Sequence, residues 1–168
     1  RRIVFVEGIS SLFGKRLELA PIMAIARRYS AFVVVDESYA IASCGLRGAG
    51  VTEGLPLDEP LLAIMADLSF GVASYGCALM GSAVFLAYIL SRSRTFQFET
   101  APPAALAGVV EAALDIIELL PLEREKLAAR SRKVREGLQS LGMRVSNEDT
   151  PIIAIQYEKA STANELAQ

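Results

Sequence analysis

Apolar positions along the chain fall into runs whose spacing alternates between strand-like and helix-like. The strongest is Ala31-Phe-Val-Val-Val35, an unbroken apolar stretch that runs straight into Asp36 and Glu37. A continuous run of this kind predicts a strand buried on both faces, as in the middle of a parallel sheet. Upstream, Ile3-Val-Phe-Val6 predicts a shorter buried strand stopped by Glu7-Gly8. Between them Leu19, Ile22, Met23 and Ala26 recur at helical spacing and predict a helix over Leu19–Tyr29, with Pro21 tolerated in its first turn. Strand, helix and strand in such close succession make a βαβ unit, hence a parallel sheet with a right-handed crossover.

Leu61 to Ala66 predicts a third strand. Residues 68–91 then carry no charge at all, a length that matches a membrane-spanning helix. Gly71, Gly76 and Gly81 interrupt that run, Ser69, Ser74 and Ser82 add polarity, and the glycines lack the four-residue spacing of a dimerisation face. The expectation is therefore a loop, a strand near Ala78–Met80 and a helix over Ser82–Leu90, with a membrane span as the competing reading. Phe96-Gln-Phe98 predicts extended chain. A long helix starts at Pro102-Pro103, shows an apolar face of Ala105, Val109, Ala112, Ala113 and Ile116, and ends near Leu120-Pro121. A charged helix follows over Leu122–Leu141, with Glu123, Arg124, Glu125 and Lys126 on its exposed side and Gly142 closing it. Met143–Val145 and Ile152–Tyr157 predict two strands joined by a turn at Asn147–Thr150, and the chain stops inside a new helix. The fold class is α/β.

Composition narrows the chemistry. The 168 residues suffice for one domain with a sizeable core, and 52% of them are hydrophobic. A net charge of −2 gives no electrostatic case for nucleic acid. Cys44 and Cys77 show no pairing pattern, which fits a reducing compartment. Histidine is absent, which removes the commonest general base and the commonest metal ligand together. No Ser/His/Asp triad, Cys/His dyad or zinc site can be assembled from this chain alone, and no metal site is expected. The sequence opens without a methionine or a signal peptide, in the manner of a fragment from the middle of a domain.

Two features invite a functional reading. Asp36 falls at a strand's carboxyl end, where open α/β sheets bind their ligands; the plainer alternative is that Asp36 and Glu37 only begin a polar loop. Glycines 45, 48 and 50 suggest a phosphate cradle. Their place is wrong for one, because a dinucleotide fingerprint opens the helix at the start of the βαβ unit, so a glycine-rich loop with tight turns is the expectation.

Four motifs in order, Val6-Glu-Gly-Ile-Ser-Ser11, Val35-Asp-Glu-Ser-Tyr-Ala40, Gly45-x-x-Gly-x-Gly-Val-Thr-Glu53 and Phe96-x-Phe-x-Thr-Ala-Pro-Pro103, resemble the α-oxoamine synthases. These are fold-type I transferases of the aminotransferase class I/II kind, which use pyridoxal phosphate to join an amino acid to an acyl-CoA. The resemblance covers nearly the whole chain. It implies that residues 1–103 are the later part of the large parallel-sheet domain, and that 104–168 are a connecting long helix and the start of the small C-terminal α+β domain.

The departures from the family pattern matter as much. Family catalysts carry a lysine that forms the Schiff base with the cofactor, and counting back without gaps from Gly81 and Phe96 puts its position at Phe70. No lysine occurs between Lys15 and Lys126. A phenyl ring cannot form an imine, so no catalytic residue is assigned. The family's phosphate-binding threonine falls at Asp67, whose charge would repel a phosphate. The histidine that contacts the cofactor's phenolic oxygen falls at Tyr39. Asp36 keeps the position that pairs with the pyridine nitrogen. Thr100 matches a position reaching toward the neighbouring subunit's phosphate, although Glu99 replaces a small polar residue beside it.

This loss resembles one branch of the family, the lysine-less, long-chain-base-1-like subunit of serine palmitoyltransferase. The resemblance then implies a noncatalytic chain in a heterodimer, with the pyridoxal phosphate held by a lysine-bearing paralogue. The complex would condense serine with a long-chain acyl-CoA in sphingoid-base synthesis, at the cytosolic face of the endoplasmic reticulum, with membrane attachment only through segments outside this sequence. The alternative is a divergent catalytic chain of the 8-amino-7-oxononanoate synthase or 2-amino-3-ketobutyrate CoA ligase kind.

Overall fold

The computed structural model describes residues 1–56 and 58–166. Four strands form one sheet in the order β1 (Arg2–Glu7), β2 (Ala31–Asp36), β3 (Leu62–Asp67) and β4 (Cys77–Gly81). The first three are parallel and β4 runs antiparallel to β3. Helix α1 (Leu19–Tyr29) makes the crossover between β1 and β2. It ends at Ser30, whose left-handed conformation (φ 48°) turns its N–H back onto the carbonyls of Ala26 and Arg27.

Leu19, Met23 and Ala26 of α1 bury against Ala31, Val33, Val35, Leu62 and Ile64. This is the predicted βαβ unit, with one correction. Strand β2 is fully buried on one face only, and Phe32 and Val34 on the other face are half-buried. Phe32 is covered there by Phe85, at 5.1 Å between ring centroids.

The uncharged run folds as a loop, β4 and helix α2 (Ala83–Arg92), which Ser82 caps by accepting from the Phe85 N–H at 3.3 Å. Among the described residues no helix is long and apolar enough to cross a membrane, so the spanning reading of 68–91 falls. Gly81 sits where a Cβ would stand 3.3 Å from the Leu62 carbonyl oxygen, a close approach of β4 to β3. Phe96-Gln-Phe98 is not extended either. It lies in the short helix α3 (Arg94–Phe98), nucleated by the Ser93 hydroxyl accepting from the Phe96 N–H.

Helix α4 (Ala104–Glu118) packs through Val110, Ala113 and Ile117 onto Ile41, Ala66, Leu68 and Val72. Its buried face is thus turned by one residue from the predicted one, and Val109 and Ile116 are exposed. Helix α5 (Pro121–Ser140) starts with proline in its first turn. Gly142, at φ 77°, closes it: the N–H of Met143 reaches the Leu138 carbonyl and that of Gly142 the Gln139 carbonyl, a Schellman arrangement. Arg124 is turned inward rather than exposed. The two strands predicted after α5 shrink to a single antiparallel bridge, Val145 with Ile155. A last helix, α6, spans Ala160–Leu166.

Candidate functional site

Parallel pairing brings the carboxyl ends of β2 and β3 side by side. Ser38 stitches them together. Its hydroxyl accepts from the Asp67 N–H at 2.8 Å and donates to Asp36 Oδ1, while its own N–H donates to the same oxygen at 2.9 Å. Asp36 is therefore fixed by a local Asx turn. Asp67 makes a second such turn, accepting from the Ser69 N–H at 2.7 Å. The Ser69 hydroxyl and N–H hold its carboxyl below the usual carboxylate range.

Phe70 follows immediately, 54% exposed, with its ring 4.7 Å from that of Tyr39 and tilted by 33°. The loop that carries it is pressed onto the turn after β2, since a Cβ on Gly71 would stand 2.3 Å from the Ile41 carbonyl oxygen. The structure thus brings together Asp36, Tyr39, Asp67 and Phe70. Thr100 is exposed on the link between α3 and α4.

The glycine loop has a different role from phosphate binding. Five of its N–H groups, those of Leu46, Arg47, Ala49, Val51 and Thr52, are already taken by the protein's own carboxylates. Glu37, only 1% exposed, accepts from Val51 N–H at 3.0 Å and Thr52 N–H at 2.7 Å. Glu53 accepts from the N–H groups of Leu46, Arg47 and Ala49. A Cβ on Gly50 would lie 2.4 Å from Glu37 Oε2, and one on Gly8 2.5 Å from it. Both glycines are required by the carboxylate between them. Burial pushes the Glu37 carboxyl above its ordinary range despite the donors of Thr52 and Val51. For Glu53 partial desolvation works upward, but the three backbone donors prevail and hold it low.

Arg124 locks the outer side of the loop, donating to the carbonyls of Ile117 and Leu46. Neither Glu37 nor Arg124 stood out as a site residue in the sequence. The signal for Glu37 was there: it continues the buried alternation of Val33 and Val35, so its side chain must enter the core.

As a donor set the cluster suits pyridoxal phosphate poorly. Asp36 is the kind of group that pairs with a pyridinium nitrogen. The cluster of Asp36, Tyr39, Asp67 and Phe70 has no amine, and the Asp67 carboxylate would repel a phosphate. Lys15 lies on the loop after β1, and Lys126 is on α5, paired with Glu123 at 2.6 Å.

Comparison with known proteins settles the family. The family model described as aminotransferase class I and II matches residues 1–168. The chain belongs to this family.

Among curated relatives, a putative 8-amino-7-oxononanoate synthase of Bacillus licheniformis is 32% identical over 99% of this chain and 44% of its own length. The 8-amino-7-oxononanoate synthase 2 of Bacillus subtilis is 34% identical over 92% of this chain and 39% of its own. The chain spans less than half the length of these curated relatives. Among solved structures, a serine palmitoyltransferase variant from S. paucimobilis with a bound pyridoxal-phosphate–myriocin aldimine superposes with a TM-score of 0.85 at 23% identity, covering 96% of this chain and 42% of that one. The 8-amino-7-oxononanoate synthase of Francisella tularensis gives 0.82 at 19%, covering 99% and 49%. The fold is that of a fold-type I pyridoxal-phosphate transferase, as the motifs imply.

Proposed function

We propose that this chain is a noncatalytic subunit of an α-oxoamine synthase, acting beside a lysine-bearing paralogue that holds the pyridoxal phosphate. The reaction served is decarboxylative condensation of serine with a long-chain acyl-CoA, at the cytosolic face of the endoplasmic reticulum. One observation carries the reading: after β3, at the position that ungapped counting from the family motifs gives to the catalytic amine, stands Phe70, its ring against Tyr39 and the Asp67 carboxylate three residues before it. A phenyl ring cannot supply covalent catalysis, and a site that has changed at three positions together has lost its chemistry as a unit. The serine palmitoyltransferase neighbour supports the fold of this assignment.

The curated relatives favour a second reading, a divergent catalytic chain of the 8-amino-7-oxononanoate synthase kind. That reading needs an amine at the cluster. Incubation of the full-length protein with pyridoxal phosphate, borohydride reduction and peptide mass spectrometry separates the two. Scattered low labelling of surface lysines is the expected result. A single stoichiometric pyridoxyl-lysine overturns the noncatalytic assignment and selects the second.

A further inference from the structure

The segment after α5 reaches back across the chain to the loop after β1. Thr150 is 3% exposed, and its hydroxyl donates to the Gly14 carbonyl at 2.6 Å. Gly14 has φ +67°, and a Cβ there would stand 2.3 Å from the Ile152 carbonyl oxygen and 3.1 Å from the Thr150 hydroxyl. The segment is held from behind by Arg135 of α5, 5% exposed, whose Nε donates to the Ser146 carbonyl at 2.8 Å and whose Nη2 donates to that of Thr150 at 3.1 Å. A guanidinium buried on neutral carbonyls is costly to leave unpaired, which disfavours separating residues 146–150 from α5. Ile152 then packs against the buried cluster of Ile9, Ala40 and Cys44, onto which Tyr39 and Val51 also pack. A set of contacts thus leads from α5, through Thr150, Ile152 and the Ile9–Ala40–Cys44 cluster, to Tyr39, whose ring faces Phe70.

We propose that Arg135, Thr150 and Gly14 form a clasp coupling the C-terminal region to the loop after β1, and that through Ile152 the clasp positions Tyr39. The proposal does not depend on whether the chain is catalytic. Coupling is reciprocal, so disturbing either side must loosen the other, whereas independent local ties would each loosen only themselves.

Hydrogen exchange of the full-length protein, read by mass spectrometry, tests this. Thr150→Val should speed exchange across residues 10–17 about tenfold, the weight of one buried hydrogen bond, with the β2 and α1 amides unchanged. Thr150→Ser should restore protection. From the other side, Gly14→Ala should speed exchange across 144–156. Ile152→Ala should do so at Ala40 and Ile41, whose N–H groups bond the Glu37 carbonyl beside Tyr39. If Thr150→Val unfolds the protein, Arg135→Lys decides: it keeps the charge and loses the fork, and 10–17 should loosen together with 146–150. The proposal is overturned if the Thr150 or Arg135 variant loosens only the C-terminal segment, if Gly14→Ala leaves 144–156 protected, or if Ile152→Ala leaves Ala40 and Ile41 unchanged.

Discussion

At the scale of single residues, two carboxylates hold the same loop with opposite pH signatures. Glu37 is raised by burial, so its stabilising contribution is full below the ordinary value of 4.5 and is lost as pH rises through its folded pKa. Glu53 is lowered by its backbone donors, so its contribution is present above 4.5 and is lost as pH falls through its folded pKa. Glu53→Gln should therefore flatten the acid side of the stability profile, and Glu37→Gln the fall above 4.5. Urea denaturation from pH 3 to pH 8 measures both. Glu37→Gln should also cost about 1–3 kcal/mol at its most acid plateau, because an amide cannot accept at both of its terminal atoms and one of the two loop N–H groups is left unpaired. An unchanged profile in the Gln variant would mean that Glu37 does not titrate in this range. Asp36 stands out in the sequence by its place at the end of a strand run, whereas Tyr39 and Phe70 are marked only by the motif resemblance. Glu37 was not legible, because an acidic residue at a strand end is indistinguishable from the start of a loop until the alternation of Val33 and Val35 is extended one step.

At the scale of elements, strong periodicity translated well and uniform hydrophobicity did not. Helix α1 was legible to the residue, because its polar positions leave one face free to bury. Helix α4 is apolar nearly all round, so spacing could not decide that Val110 and Ile117, rather than Val109 and Ile116, would face Leu68 and Val72. The Phe96–Phe98 error has the same origin. Aromatic residues favour strands on average, but a serine cap two residues before Thr95 made a helical turn available locally. The glycine loop was legible as turns and not as a carboxylate staple, because its partner lies outside the loop. That staple gives a sharp expectation. Gly50→Ala places a methyl group 2.4 Å from the Glu37 carboxylate at a φ of +93°, and should destabilise the protein by more than about 2 kcal/mol. Gly54→Ala, also at positive φ but with open space around it, should cost only the backbone strain, about 1 kcal/mol. Equal losses in thermal melts of the two variants would show that strain alone, and not the staple, requires Gly50.

At the scale of the whole molecule, the consecutive helices α2, α3 and α4 carry exposed apolar side chains. None of the residues of α2, α3 and α4 is fully buried. Val84, Tyr88 and Leu90 of α2 are exposed, and so are Phe96 and Phe98 of α3, the last by 79%. Exposed apolar surface of this kind marks a place meant to be covered. Under the noncatalytic reading the covering partner is a lysine-bearing paralogue, and the full-length protein made alone should self-associate or be recovered in low soluble yield. Co-expression with that paralogue should raise the yield and give a one-to-one complex by light scattering. Phe96→Ser combined with Phe98→Ser should weaken the complex by at least about tenfold in Kd while leaving the α1–β2 core intact, because neither ring is buried within the chain. Two results would count against the reading. A well-behaved monomer at micromolar concentration would mean that this surface needs no partner. A stable homodimer that ignores the paralogue would instead fit a catalytic synthase acting with a second copy of itself, and would direct the search back to an amine near Asp36.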